Sequence, residues 1–189
     1  MLRAQKMKTE AADLVSHDLS PPQICDLELL MNGGFYPLKG FLGEADYDGV
    51  VDNMRLADGT LWPIPITLDV SEDFADSLEI GQDIALRDQE GVILGRMTLT
   101  DRWIPNKSKE AEKVFGADDD AHPAVNYLHN TAAKVYLGGP VTGIQQPVHY
   151  DFRARRDTPN ELRAHFRQVG WRKVVAFQTR NPCTAHTRN

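Results

Sequence analysis

Between Leu61 and Thr100 the apolar side chains recur at every second position, a period that an extended strand places on one face. Ile64, Ile66, Leu68 and Val70 alternate with Pro65, Thr67 and Asp69, and prolines, which cannot donate to a ladder, put this segment at the edge or the start of a sheet. Ile84–Arg87 and Val92–Leu99 then flank Asp88-Gln-Glu-Gly91, whose composition suits a four-residue hairpin connection. A last strand pair is expected at Ala133–Leu137 and Thr142–Gln145, around Gly138-Gly-Pro140. Residues 1–150 therefore form, by this pattern, one mostly β domain with two or three helices.

Helical punctuation is clearest at Ser20, an N-cap followed by Pro21 at the first helical position and closed by Asn32-Gly33-Gly34. Ile24, Leu27 and Met31 share one face of that helix and predict a packing stripe. Phe35, Tyr36, Leu38, Phe41 and Leu42 interleave with Gly34, Pro37, Gly40 and Gly43, the composition of a packed irregular loop. Residues 107–115 predict a charged surface helix ended by Gly116. Asp118-Asp-Asp120 beside His122 admits a cation site, but three adjacent carboxylates cannot all converge on one ion, and a solvated acidic loop is the expectation.

Composition matters mainly through charge. Residues 1–150 hold 12 basic and 24 acidic side chains, whereas residues 151–189 hold 9 basic and 3 acidic, so an anion site belongs at the C-terminal end. At 189 residues and 41% hydrophobic content the chain can bury a core. Cys25 and Cys183 lack the spacing of a zinc site and are too few for a disulfide framework, so both are expected as reduced thiols. The charged first ten residues and the lack of any stretch approaching eighteen apolar residues argue against a signal peptide or a membrane span; the cytoplasm is the expected compartment.

At Tyr150 the pattern changes. Thr158-Pro-Asn-Glu161 is a capping box, and Leu162, Phe166 and Val169 predict a core stripe ended by Gly170. Lys173-Val-Val-Ala-Phe177 follows as a short apolar run, the pattern of a strand buried on both faces. The loop leaving it, Gln178-Thr179-Arg180-Asn181-Pro182, carries four polar side chains at the carboxyl end of that strand, where open α/β sheets bind ligands. Arg180 offers a planar fork of donors to a tetrahedral oxyanion, and Gln178, Thr179 and Asn181 add neutral groups; the ordinary alternative is a surface loop in which Arg180 pairs with a carboxylate.

Val174-Val-Ala-Phe-Gln-Thr-Arg-Asn-Pro182 resembles the hallmark strand and loop of the ATP sulfurylase (sulfate adenylyltransferase) family. The resemblance extends to Cys25–Phe35, Pro37-Leu-Lys-Gly-Phe41, Trp62-Pro-Ile-Pro-Ile-Thr-Leu68, Tyr136-Leu-Gly-Gly-Pro140 and Thr158–Arg163. It implies an α+β chain: a mostly β PUA-like N-terminal domain at 1–150, then the truncated start of a Rossmann-like α/β catalytic domain at 151–189. The implied reaction is adenylyl transfer, in which a sulfate oxygen attacks the α-phosphorus of ATP and pyrophosphate leaves; such a step needs in-line positioning and charge neutralisation. By resemblance Gln178 and Arg180 hold sulfate, Gln178 through Asn181 contact ATP, and Thr179, Arg180 and Asn181 form the active-site trio. Mg2+ accompanies the ATP, with no tightly bound cofactor and no protein metal site expected. ATP and sulfate are the implied partners, a homo-oligomer is compatible with them, and neither a membrane nor a nucleic acid is expected.

After Pro182 the family continues with a Met-His-Arg-Ala-His-like segment, whereas this chain has Cys183-Thr-Ala-His-Thr-Arg-Asn189. Thr184 and Thr187 stand where the two histidines belong, and His186 is out of register by one residue, about 100° around a helix. A one-nucleotide deletion in codons for Met-His-Arg-Ala-His-Glu-Glu-Leu-Thr yields this tail and a stop, so a frameshifted chain with little activity of its own is the expectation. Its unfinished sheet edge would favour association or poor solubility. Two other classes remain: an RNA-binding module, opposed by the acidity of residues 1–150, and a non-catalytic fragment that binds an intact partner.

Overall fold

The computed structural model describes residues 2–176 and is organised around one long strand, β7 (Val135–Gly143). Four strands pair with it antiparallel. β3 (Leu68–Val70) and β6 (Asp101–Trp103) flank its first half, and β2 (Gly40–Phe41) and β5 (Ile93–Thr98) its second. β4 (Asp83–Arg87) continues outward from β5, and β1 (Ser16–Asp18) runs parallel to β4 at the edge. No turn divides β7 at Gly138-Gly-Pro140, contrary to the strand pair expected there. The two glycines instead admit neighbouring backbone: a Cβ on Gly138 would fall 2.5 Å from the Leu42 carbonyl oxygen, and one on Gly139 would overlap that of Thr98.

The expected hairpin is present. Asp88 Oδ1 accepts the Glu90 and Val92 N–H groups at 3.0 and 2.8 Å, and Gly91 takes φ 83° where a Cβ would be strained. In the 64–70 segment the phase holds while the ladder is shorter. Ile66, Leu68 and Val70 are buried and Ile64 is exposed, but only Leu68–Val70 pairs, since Pro63 and Pro65 remove two donors. The main core gathers Leu68, Val70, Ile84, Leu86, Leu94, Met97 and Leu137. β4 is buried on both faces, because Ala85 packs with Ile93 beneath Ala11 of α1 (Leu2–Ala12).

α2 (Pro21–Asn32) has the predicted ends, with Ser20 as N-cap and Gly33 left-handed at φ 82°. Leu27 is fully buried, and Ile24 and Met31 flank the same core. α3 (Glu44–Asn53), α4 (Glu72–Asp76) and α6 (Pro123–Asn130), together with α1, exceed the two or three helices expected. α3 was illegible because its cap is Gly43, its interior holds Gly49, and its buried Tyr47, Val50 and Val51 span barely one turn. The expected surface helix at 107–115 is α5 (Lys107–Glu110) followed by a π turn, Ala111–Phe115, ended by left-handed Gly116.

Beyond a 3₁₀ turn at Arg153–Arg155 lies α7 (Pro159–Gln168). Its capping box is as read: Thr158 Oγ1 accepts the Glu161 N–H at 3.3 Å and Glu161 Oε2 accepts the Thr158 N–H at 2.7 Å. Its apolar stripe is not in a core. No residue of α7 is buried, and Leu162 and Val169 are exposed. Residues 173–176 of the expected buried strand likewise have no regular structure, with Val175 95% exposed, and Phe177 lies outside the described residues. A strand buried on both faces needs flanking strands and a second helical layer, and neither surrounds this run among the described residues.

Candidate functional site

The four residues expected to bind anions, Gln178, Thr179, Arg180 and Asn181, lie outside the described residues, as do Cys183, Thr184, His186 and Thr187. The structure does describe the approach to them. Arg163 of α7 donates from Nη1 to the Gly33 carbonyl at 2.7 Å, and its guanidinium lies 5.7 Å from the centroid of the Tyr36 ring. The Asn160 side chain packs directly on Gly33, leaving no room for a Cβ there. His149 lies 2.8 Å from Glu28 of α2. The start of α7 is thus held against the last turns of α2, while Trp171 stacks on Phe166 at 5.9 Å beyond the helix end.

The approach is cationic. Arg153, Arg155 and Arg156 surround a recess of about 520 Å3 with His149, and Arg156 is paired to Asp151 at 2.7 Å. Arg163, Arg167, Arg172 and Lys173 are exposed as well, so the described part of the basic C-terminal stretch displays its charge on the surface.

Sequence reading missed a second polar centre. Glu110 is 6% exposed, and its Oε2 accepts the hydroxyls of Tyr47 and Tyr136 at 2.8 and 3.2 Å. Burial raises the Glu110 carboxyl above the usual range, against the lowering effect of the two tyrosines and Lys107. The tyrosines are pushed far upward, first by burial and then by the Glu110 charge. Glu110 stands where α5 gives way to the π turn, a break often found at functional positions. Nothing in Lys107-Ser-Lys-Glu-Ala-Glu-Lys113 separates it from Glu112, which is exposed; only its partners, 63 and 26 residues away, do so.

The acidic loop turned out to serve structure. His129 sits between Asp118 and Asp120 at 3.1 and 2.9 Å, and Asn130 also donates to Asp120. His122 instead caps α6, accepting the Ala124 N–H at Nδ1. Among the described residues no group of three His, Cys, Asp or Glu side chains is arranged to hold a metal ion, and no helix is long and apolar enough to cross a membrane. Cys25 is an exposed free thiol.

Comparison with known families matches residues 2–146 to a PUA-like domain and residues 153–188 to ATP-sulfurylase. A sulfate adenylyltransferase of Phaeosphaeria nodorum is 54% identical over 183 residues, and that of Saccharomyces cerevisiae 50% over 175. These alignments take in 95% and 93% of this chain but 32% and 34% of the relatives, so the chain spans about a third of their length. A solved structure described as a hexameric APS kinase from Thiobacillus denitrificans superposes with TM-score 0.72 at 35% identity, over 96% of this chain and 32% of that one. With a PUA-like model over most of its length and the ATP-sulfurylase model over the segment after it, the chain belongs to the ATP-sulfurylase family, of which it is the N-terminal part.

Proposed function

We propose that this chain is built for sulfate activation, as the N-terminal portion of an enzyme that transfers the adenylyl group of ATP to sulfate, giving adenosine 5′-phosphosulfate and pyrophosphate. The observation that carries this is the match of residues 153–188 to ATP-sulfurylase, a segment containing the whole Gln178–Asn181 loop. Arg180 and Gln178 bind the sulfate, and Gln178, Thr179, Arg180 and Asn181 meet the ATP phosphates. Thr179, Arg180 and Asn181 hold attacking oxygen and α-phosphorus in line while the arginine offsets charge gathered at phosphorus. Mg2+ arrives on the ATP as part of the substrate. The work belongs to cytoplasmic sulfate assimilation, carried out by a homo-oligomer.

A nucleotide site needs enclosing walls to exclude water, and the chain spans about a third of its relatives' length, so these 189 residues by themselves turn over little. A pyrophosphate-release assay on the purified chain with ATP, Mg2+ and sulfate is expected to stay at background, and ordinary turnover would contradict this. The catalytic role is tested in a hybrid in which residues 1–182 replace the matching part of the Saccharomyces cerevisiae relative. The hybrid should be active and lose at least about 100-fold on Arg180→Ala, the cost of a transition-state charge partner. A folded, inactive hybrid, or an unaffected Arg180→Ala, would overturn the assignment.

A further inference from the structure

Beside Glu110 lies a cavity of about 290 Å3 between α2, α6 and the β3 edge. Ile64, Pro65, Phe115 and Leu128 give it apolar walls, and Asp26, Asp69 and Glu110 supply carboxylates. Two of these acids have capacity to spare. Glu110 spends Oε2 on both tyrosines, and its Oε1 has no hydrogen-bond partner among the described residues although the side chain is almost wholly buried. Asp26 is half-buried and likewise has no hydrogen bond or ion pair among the described residues. Asp69, by contrast, is fully used: Oδ1 accepts from Gln23 Nε2 at 2.8 Å and Oδ2 from the Ala133 N–H at 2.7 Å.

The charges are unbalanced toward Asp26. Lys107, whose Nζ donates to the Ala132 carbonyl at 2.7 Å, acts on Asp69 and Glu110, whereas the charged group acting on Asp26 is a second carboxylate, Asp69. Burial and that like charge both oppose ionisation of Asp26, a strain that a cation in the cavity relieves. The acids are not grouped as metal ligands, and the walls between them are apolar. Such a cavity suits a charged head on an apolar body, not a bare ion.

We propose that this cavity is a binding site for a small organic cation, an amidinium, guanidinium or ammonium on a flat apolar body, whose head pairs with Asp26 and Glu110 Oε1 and whose body lies against Ile64 and Phe115. Every residue named for the site lies in the segment matched to the PUA-like domain.

Benzamidine and its neutral isostere benzamide are the probes, followed through the backbone amide resonances of the full chain at pH 7.5. Benzamidine should shift the amides of Gln23, Asp26, Tyr127 and Ala132 saturably, and benzamide should bind at least about tenfold more weakly, the scale of one charge-assisted contact. Asp26→Asn should cost benzamidine a similar factor. Ile64→Lys, at an exposed wall position, tethers a competing ammonium and should abolish the shifts with the spectrum otherwise intact. Equal binding of benzamide, shifts mapping elsewhere, indifference to both variants, or MgCl2 displacing benzamidine at equal concentration would each overturn the proposal.

Discussion

Asp26 and Glu110 show at single residues what burial does to charge. Asp26 is pushed up to about 6 by burial and by the Asp69 charge. Its folded-state affinity for the proton exceeds that of the unfolded chain, so its contribution to stability is complete below about pH 4 and is lost as pH rises through 6. Asp26→Asn is therefore expected to flatten stability between those limits and to stabilise the protein at pH 7.5 by about 1–2 kcal/mol, discounted for partial exposure. Urea unfolding at pH 4 and 7.5 measures both. Glu110→Ala leaves two buried tyrosine hydroxyls without an acceptor and should cost about 2–4 kcal/mol, whereas Glu110→Gln keeps an acceptor and should cost about 1 kcal/mol or less. Equal losses for the two variants would show that the tyrosine bonds carry no weight.

Among the elements, β7 and α7 show how neighbours decide what a sequence pattern means. Gly138-Gly-Pro140 has turn composition, yet β6 pairs at Gly138 and β2 at Gly139 and Pro140, and the glycines serve close approach. Gly139→Ala should therefore destabilise by at least about 3 kcal/mol, read as lost soluble yield and a lowered Tm, because rigid backbone and no flexible side chain stands in the way. For α7 the capping box was legible because Thr158 and Glu161 are three residues apart, while the fate of its stripe was not, since burial needs a facing layer. Arg163 is its firmest link to the β domain. Arg163→Ala should speed amide exchange across α7 while leaving β4, β5 and β7 protected, and Arg163→Lys should rescue it only in part, lacking the planar fork. Unchanged exchange would place the link elsewhere.

On the scale of the molecule, an acidic body carries a basic, apolar-studded segment. Leu162, Val169, Trp171, Val174 and Val175 are all exposed beside Arg163, Arg167, Arg172 and Lys173. Two such chains attract through opposite charges and can cover apolar surface on contact, so the purified chain should associate in a concentration-dependent way. Sedimentation at about 0.05 and 0.5 M NaCl should show weaker association at high salt if charge leads. A monomer at both would remove this expectation.

Local chemistry determined much by itself. The caps of α2 and α7, the β4–β5 hairpin and the phase of residues 64–70 each depend on residues within a few positions of one another, where propensity and hydrogen bonding act directly. The family is equally visible, because its motif is a contiguous run ending in Gln178–Pro182. Tertiary structure alone decided that Gly138-Gly lies inside a strand, that Glu110 in a charged run is buried, and that Asp26 faces a cavity beside a second carboxylate. In each case the deciding partner is distant in the chain: Leu42 and Thr98 for the glycines, Tyr47 and Tyr136 for Glu110, Asp69 for Asp26. A residue's environment is set by what packs on it, and no local pattern encodes that.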